Sequence, residues 1–185
     1  MTQSLAVSGT NLFAGTYYGG VFRTTDNGTN WTAVNTGLPD PEIFSLAASG
    51  TKLFAGTYLG VSRSTDNGTS WTPTGVHNII YALTASGPFV FAGKHSGGVF
   101  RSTNNGTSWT SVNTGFSDTT VYSLAILSPN LVVGTYIGAF RSANNGASWT
   151  ATSLTNTSVL SLAFAPNGAG GSNLFTTAQA GPPPA

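Results

Sequence analysis

Residues 24–31 of this chain read TTDNGTNW, and the same eight-residue phrase returns three more times. It reads STDNGTSW at residues 64–71, STNNGTSW at residues 102–109 and SANNGASW at residues 142–149. The tryptophans that close the four copies are separated by 40, 38 and 40 residues. A constant period of this length indicates one supersecondary unit copied in tandem.

Each copy divides into four short strands. In the second copy we predict strands over residues 45–48, 52–58, 61–64 and 71–74, because these runs are bounded by clusters of Gly, Asn and Ser. No segment shows the apolar spacing of a helix, so almost no helix is expected. A four-stranded antiparallel meander of about 40 residues, repeated in tandem, is a β-propeller blade. The sequence therefore predicts an all-β fold, a propeller of such blades.

The chain holds four full blades and half of a fifth. The units span about residues 4–44, 45–81, 82–122 and 123–160, with a partial unit at 161–178 and a Pro-rich tail or linker at 179–185. The N-terminus begins on the first strand of a blade, so it has no third and fourth strands to give to the fifth. We therefore expect part of a larger propeller, or one that another chain completes. A five-bladed ring with one truncated blade is the alternative.

The repeated phrase closely resembles the Asp-box, or BNR repeat, of sialidases, sortilin-type receptors, xyloglucan-cleaving hydrolases and photosystem-assembly propellers. Residues 12–17 and 20–23, which precede the first copy, also look like repeats of the xyloglucanase and photosystem-factor type. The resemblance covers nearly the whole chain and implies the propeller fold. It implies little about function, since proteins that contain this motif share little chemistry.

The residues of the phrase suit a tight turn at a blade edge. An Asp or Asn side chain accepts backbone N–H bonds, a Gly supplies positive φ, and a Trp covers the edge and finds a partner for its indole N–H. We expect the four tryptophans to lie in similar surroundings. The structural residues so assigned are Asp26, Gly28, Trp31, Asp66, Gly68, Trp71, Asn104, Gly106, Trp109, Asn144, Gly146 and Trp149.

Composition excludes several classes of partner. Only 6% of the residues are charged and the net charge is +1, so no basic patch is expected to attract nucleic acid or an anionic membrane. No apolar run approaches the roughly 18 residues of a membrane span, so membrane insertion is not expected. Cysteine is absent, which excludes disulfides and thiolate metal sites. Polarity from Thr, Ser, Asn and Gly is common in secreted bacterial proteins, so we expect secretion or display at the cell surface, with the signal outside this chain.

Arginine is the first candidate for chemistry, because sialidases bind a carboxylate with three arginines. Here Arg23, Arg63, Arg101 and Arg141 all occupy one repeat position, just before the phrase. Equivalent positions around a ring cannot converge on one carboxylate. We expect each arginine to pack its aliphatic stem and to bond a neighbouring turn.

Carboxylates and histidines give no convincing catalytic site. A glycosidase needs two carboxylates, and Asp40 or Glu42 with Asp118 is a conceivable pair. A Ser/His/Asp triad would use His77 or His95, yet no Gly-x-Ser-x-Gly elbow exists. The phrase also lacks the acid spacing of a calcium loop. We therefore assign no catalytic residue, no metal and no cofactor, and favour a protein that is not an enzyme.

Ligand binding is the better hypothesis. Tyr17, Tyr58, His95 and Tyr136 follow the second strand of their blades, and Lys94 precedes His95 where the other copies have Thr. In a propeller these turns share a face with the interblade loops, opposite the repeated phrase. The rings should form an arc near the channel mouth and could stack on sugars or on protein side chains, although packing on a neighbouring blade would equally explain them.

Three functions follow from this reading. The first is a non-catalytic propeller that binds carbohydrate or protein. The second is a fragment of an Asp-box glycoside hydrolase whose carboxylates lie partly outside this chain. The third is a structural module that assembles with other copies into rings or fibres, favoured by unpaired strands at its ends and by low charge.

Overall fold

The computed structural model describes residues 1–116, 120–127, 129–167 and 172–180, which form eighteen strands in five antiparallel sheets. Within these residues there is no helix, and none that could cross a membrane. Blade 1 contains β1 (Thr2–Ser8), β2 (Asn11–Thr16), β3 (Gly20–Thr24) and β4 (Thr32–Ala33). Blade 2 contains β5 (Ile43–Ser49), β6 (Lys52–Thr57), β7 (Gly60–Ser64) and β8 (Thr72–His77). The predicted four-stranded meander is confirmed, because each full sheet follows chain order.

The remaining blades repeat this plan. Blade 3 contains β9 (Ile80–Ser86), β10 (Phe89–Lys94), β11 (Val99–Ser102) and β12 (Thr110–Ser111). Blade 4 contains β13 (Val121–Leu127), β14 (Asn130–Thr135), β15 (Gly138–Ser142) and β16 (Thr150–Thr155). Blade 5 is the hairpin of β17 (Thr157–Pro166) and β18 (Ser172–Ala180). This hairpin starts before residue 161 and ends within the segment assigned to the tail; residues 181–185 lie outside the described residues.

The five sheets form an open arc. The first strands of consecutive blades lie side by side around the axis. Among the described residues, β1 pairs with β2 alone and β17 with β18 alone, so the last hairpin is not paired with the first blade. The described chain is thus a partial propeller rather than a closed five-bladed ring.

The core lies between blades rather than within them. One apolar cluster joins Phe13 of blade 1 to Ile43 and Leu46 of blade 2, and equivalent clusters follow at the next interfaces. Because a single sheet has two apolar faces, each blade needs a neighbour on either side to bury them. The packing of each blade on the next therefore stabilises the arc.

The tryptophans of blades 2 and 4 are buried against the preceding blade. The indole nitrogen of Trp71 donates to the backbone oxygen of Val34 at 2.8 Å, and that of Trp149 donates to the backbone oxygen of Val112 at 2.7 Å. Both side chains are 4% exposed. Each of these indoles therefore joins two blades.

The tryptophans of blades 1 and 3 behave differently. Their indole nitrogens donate to the turn of their own blade: Trp31 to the oxygen of Gly28 at 3.1 Å, and Trp109 to the oxygen of Gly106 at 3.2 Å. Trp31 is 39% exposed. The expectation of four similar tryptophan environments is therefore wrong.

The length of the fourth strand explains this alternation. In blades 1 and 3 that strand has two residues and is followed by the sequence VNTG, whereas in blades 2 and 4 it has six. The VNTG segment folds back, so that Asn35 accepts the backbone N–H of Val21 and Thr36 accepts the backbone N–H of Trp71. The next tryptophan docks on this segment. The structural repeat is thus a pair of blades: Trp31 and Trp109 lie 78 residues apart, as do Trp71 and Trp149.

Candidate ligand-binding face

The repeated phrase forms a turn stabilised by hydrogen bonds to its acidic side chain. Asp66 accepts the backbone N–H of Ser70 at 2.9 Å and the hydroxyls of Ser70 and Ser64 at 2.6 and 2.8 Å. These bonds, that of the Ser70 hydroxyl first, lower the pKa of the Asp66 carboxyl to about 2. Bonds led by the backbone N–H of Asn30 likewise lower the pKa of Asp26 to about 2. Both carboxylates are therefore ionised and engaged within their own turns.

Asparagine preserves the turn in blades 3 and 4. Asn104 accepts the backbone N–H of Ser108 at 2.9 Å, and its amide nitrogen donates to the Ser108 hydroxyl at 2.9 Å. Asn144 makes the same two bonds to Ser148. The side-chain bond has reversed its direction, since an amide donates where a carboxylate accepts. The turn keeps its shape and loses its charge.

The arginines join neighbouring blades and do not converge. Arg23, Arg63 and Arg101 each donate to a backbone oxygen in the turn of the following blade, at 3.1, 3.1 and 2.9 Å. Arg141 instead donates to Asn130 of its own blade at 3.4 Å. These contacts match a structural role, and they provide no clamp for a carboxylate.

The opposite face carries the turns between second and third strands together with the interblade loops. The N–H of Gly20 donates to the backbone oxygen of Pro41 at 3.0 Å, and the N–H of Leu59 donates to the Asp40 carboxylate at 3.2 Å. Asp40 is buried and also accepts the N–H of Glu42 at 3.0 Å. Its carboxylate thereby holds the loop between blades 1 and 2 against the neighbouring turn.

A chain of aromatic rings crosses this face, and we call it the aromatic arc. Its ring centroids are separated by 4.5 Å between Tyr18 and Tyr17, 5.9 Å between Tyr17 and Phe44, and 5.6 Å between Phe44 and Tyr81. Tyr81 then contacts both His95 at 5.4 Å and Tyr122 at 5.9 Å. Most of these contacts are edge to face, which is a favourable geometry for aromatic pairs. The arc is defined by these six residues and spans four blades.

Bulges in the first strands place the centre of the arc. The pairing register shifts at Phe44, Tyr81 and Tyr122, which interrupt the regular alternation of their strands. A bulge turns its extra residue out of the regular alternation. The sequence interpretation missed these three residues, although a signal existed: each follows Ile or Val, so two apolar residues occur where strict alternation allows one.

The sequence-predicted binding residues divide into two groups. Tyr17 and His95 belong to the arc. Tyr58 and Tyr136 are 53% and 42% exposed and make no ring contact with another aromatic among the described residues. The ammonium of Lys94 lies 4.6 Å from the ring centroid of Phe100 within its own blade, a cation–π contact.

A cleft of about 220 Å³ lies beside the arc. Pro39, Asp40, Glu42, Tyr58 and Leu59 line it. The negative charge of the Glu42 carboxylate is the main cause that raises the pKa of the Tyr17 hydroxyl above its ordinary value. That hydroxyl is therefore protonated at neutral pH and able to donate a hydrogen bond, on the face that also carries the Glu42 carboxylate.

A larger cavity, of about 490 Å³, lies far from the arc. Its lining includes Arg141 and Thr150 on the outer strands of blade 4 and Asn144 in the turn between them. Blade 5 has no third or fourth strand there in the described chain, so this side of blade 4 is uncovered. The cavity therefore reflects the end of the arc of blades rather than a shaped site.

The residues considered for catalysis and metal binding lie apart or are described only in part. Asp118, half of the conceivable carboxylate pair, lies outside them, and Asp40 is engaged in backbone bonds. His77 and His95 lie on different blades. Within residues 1–116, 120–127, 129–167 and 172–180, no three His, Asp or Glu side chains are grouped in a way that could hold a metal ion.

The fold is shared with several solved propellers. The GH74 xyloglucanase from Xanthomonas campestris matches with a TM-score of 0.70 at 16% identity, over 88% of this chain and 32% of that one. The extracellular domain of BT4673 from B. thetaiotaomicron matches with a TM-score of 0.71 at 17% identity, over 88% of this chain and 24% of that one. YCF48 bound to D1 peptide matches with a TM-score of 0.71 at 14% identity, over 96% of this chain and 62% of that one. This chain thus spans between a quarter and two thirds of their lengths, and at these identities the likeness shows the fold alone.

Sequence comparison assigns the family. None of the curated proteins matches this chain. The family model described as the DUF6242 beta propeller domain matches residues 6–118, which is more than half of the sequence. The chain therefore belongs to the DUF6242 beta propeller domain family.

Proposed function

We propose that this chain is a non-catalytic binding module whose aromatic arc takes a carbohydrate ligand. The observation that carries the proposal is the continuity of the arc, from the 74% exposed Tyr18 to Tyr122 across four blades. Sugars present flat C–H faces to aromatic rings and hydroxyls to polar groups at their edges. The Tyr17 hydroxyl and the Glu42 carboxylate supply such a donor and such an acceptor beside the rings.

The electrostatics of the face favour a neutral ligand. Charged residues make up only 6% of the chain, so a strongly acidic or basic partner would find little complementary charge. Among the proteins of this fold, the Xanthomonas campestris protein is a xyloglucanase. Xyloglucan is therefore the first probe. The BT4673 match is an extracellular domain, which supports the proposal that this chain acts outside the cell.

Affinity electrophoresis through gels that contain soluble xyloglucan tests this proposal. We expect retardation of the chain, reduced about tenfold in apparent affinity by Tyr18→Ala, because one stacking ring is worth about 1 kcal/mol or slightly more. Tyr136→Ala is the matched control, since this exposed tyrosine occupies an equivalent turn outside the arc. Equal losses in the two variants would contradict a site on the arc. Absence of retardation by xyloglucan and by a panel of other neutral polysaccharides would overturn the carbohydrate assignment and leave a peptide as the ligand to test.

A glycoside hydrolase remains the alternative and makes a distinct prediction. Glu42 is the only described acid without a structural hydrogen bond to its side chain, so a second carboxylate would have to come from elsewhere. The binding proposal predicts that xyloglucan retained by the chain releases no reducing ends. Release that Glu42→Gln abolishes would establish the hydrolase instead.

A further inference from the structure

Each turn of the repeated phrase contains an Asn-Gly pair, the dipeptide most prone to spontaneous deamidation. The pairs begin at Asn27, Asn67, Asn105 and Asn145, and all four asparagines have a φ between 53° and 57°. Asparagine is a thermolabile residue. A following glycine raises the rate, because it has no side chain to shield its nitrogen. The four turns are therefore four potential modification sites.

The reaction is an attack of the glycine nitrogen on the preceding side chain. This nitrogen loses its proton and forms a bond to Cγ of the asparagine. The Cγ–Nδ2 bond breaks, and Nδ2 takes up a proton and leaves as ammonia, so that no proton is gained or lost overall. Water then opens the resulting succinimide ring to aspartate or isoaspartate. The peptide group between the two residues must therefore release its N–H proton and move toward the side chain.

The N–H of this peptide group is held within its own turn. The N–H of Gly68 donates to the Ser64 hydroxyl at 2.8 Å, and that hydroxyl donates its own proton to Asp66 at 2.8 Å. The glycine N–H makes the same bond in blades 1, 3 and 4, at 3.0, 2.8 and 2.9 Å. The accepting side chains are at most 2% exposed, and they are Thr24, Ser64, Ser102 and Ser142. A lone pair of a buried hydroxyl thus faces each N–H and opposes its loss.

The C=O of the same peptide group is held by the preceding blade. An arginine guanidinium donates to the backbone oxygen of the asparagine in three turns. The pairs are Arg23 with Asn67, Arg63 with Asn105 and Arg101 with Asn145, at 3.1, 3.1 and 2.9 Å. Both ends of the labile peptide group are therefore hydrogen-bonded in blades 2, 3 and 4.

A phenylalanine ring of the preceding blade shields the glycine in these turns. A Cβ atom on Gly68 would come within 3.0 Å of Cε1 of Phe13, and one on Gly106 within 2.6 Å of Cε1 of Phe54. Both rings are fully buried. The peptide group is thus packed as well as hydrogen-bonded, so it has little room to move.

We propose that the Ser hydroxyl and the arginine of the preceding blade form a peptide clamp that suppresses deamidation at Asn67, Asn105 and Asn145. Closing the succinimide ring would break both hydrogen bonds, so the barrier to the reaction rises by their loss. The clamp gives two positions of the repeat a protective role besides joining the blades. It is independent of the aromatic arc, which lies on the opposite face.

The arginines allow a crossed test. Incubation at mildly alkaline pH, digestion with pepsin at acid pH and mass spectrometry of the peptides measure the deamidation rate at each asparagine. Arg23→Met should raise the rate about fivefold at Asn67 and leave Asn105 unchanged, whereas Arg63→Met should do the reverse. In urea-unfolded chain, both rates should exceed those of the folded chain by at least about tenfold.

Arg141 provides the matched control for these variants. It occupies the same position of the repeat but donates to Asn130 of its own blade, so Arg141→Met should change none of the three rates. Urea unfolding of each variant monitors its stability, because a chain that unfolds more often would deamidate faster at every site.

The hydroxyl has a matched pair of variants within one turn. Ser64→Ala removes the acceptor of the Gly68 N–H and should raise the rate at Asn67 about fivefold. Ser70→Ala removes a bond to the Asp66 carboxylate and keeps that acceptor, so the rate at Asn67 should stay close to that of the wild type. If Ser64→Ala does not fold, the arginine variants decide alone.

The site at which the rate rises decides the proposal. A rise confined to the asparagine whose clamp is removed supports it. An unchanged rate at Asn67 in Arg23→Met would overturn it, as would equal rates in the folded and the urea-unfolded wild type. An equal rise at all three asparagines would also overturn it, since unfolding of the whole chain would then be the cause.

Discussion

The alternation of tryptophan environments makes a quantitative prediction about stability. Replacing Trp71 by Phe removes the bond from its indole N–H to the oxygen of Val34, at 2.8 Å, in a side chain that is 4% exposed. Loss of about 50 Å² of buried aromatic surface costs about 1 kcal/mol, and an unpaired carbonyl costs about 1–2 kcal/mol more. We expect Trp71→Phe to lower the free energy of unfolding by about 2–3 kcal/mol.

Trp31 provides the matched comparison. Its indole bonds an oxygen of its own turn and its side chain is 39% exposed, so Trp31→Phe should cost about 1 kcal/mol or less. Urea unfolding followed by far-ultraviolet circular dichroism measures both variants, and the comparison uses midpoints at unchanged slope. Trp149→Phe should match Trp71→Phe. Equal losses of unfolding free energy in Trp31→Phe and Trp71→Phe would show that the two tryptophan environments do not differ in energy.

The ionisable groups give two further predictions. Glu42→Gln should lower the pKa of the Tyr17 hydroxyl toward its ordinary value, because the main charge that raises it is gone. Titration of tyrosinate absorbance measures the shift, with the signal of the Tyr17→Phe variant subtracted to isolate Tyr17. An unchanged pKa would exclude Glu42 as the cause. The carboxyl pKa of Asp66 is lowered from 3.8 to about 2 in the folded chain, so the stability that it contributes is present above pH 3.8 and is lost as the pH falls through about 2. Asp66→Asn should therefore differ most from the wild type near neutral pH and least near pH 2 in urea unfolding, and a difference that is constant over this range would contradict the linkage.

Much of the fold could be predicted because it depends on local signals. The Asn-Gly pairs adopt positive φ in all four turns, and the apolar runs before them become the second and third strands. These features are encoded within each copy of the repeat, so the sequence of a single copy is sufficient to predict them. Blade number and the open arc followed from counting the copies.

The remaining features depend on contacts between neighbouring blades, which the nearly constant repeat length does not reveal. The spacings of 40, 38 and 40 residues are nearly uniform, yet residues 34–37 and 112–115 build a docking surface that blades 2 and 4 lack. The arc was predicted only in part for the same reason. Tyr17 and His95 stand at turn positions that the repeat makes visible, whereas Phe44 and Tyr81 reach the arc through bulges, which depend on pairing with the next strand.

The two kinds of tryptophan environment determine which blades can be inserted, deleted or permuted in this architecture. A chain lengthened by a single blade would place two long fourth strands, or two VNTG segments, on consecutive sheets, and the alternation between buried and partly exposed tryptophans would be interrupted. Insertion, deletion or circular permutation should therefore be tolerated in steps of 78 residues and resisted in steps of half that length. We therefore expect duplication or redesign of this architecture to succeed most readily in pairs of blades.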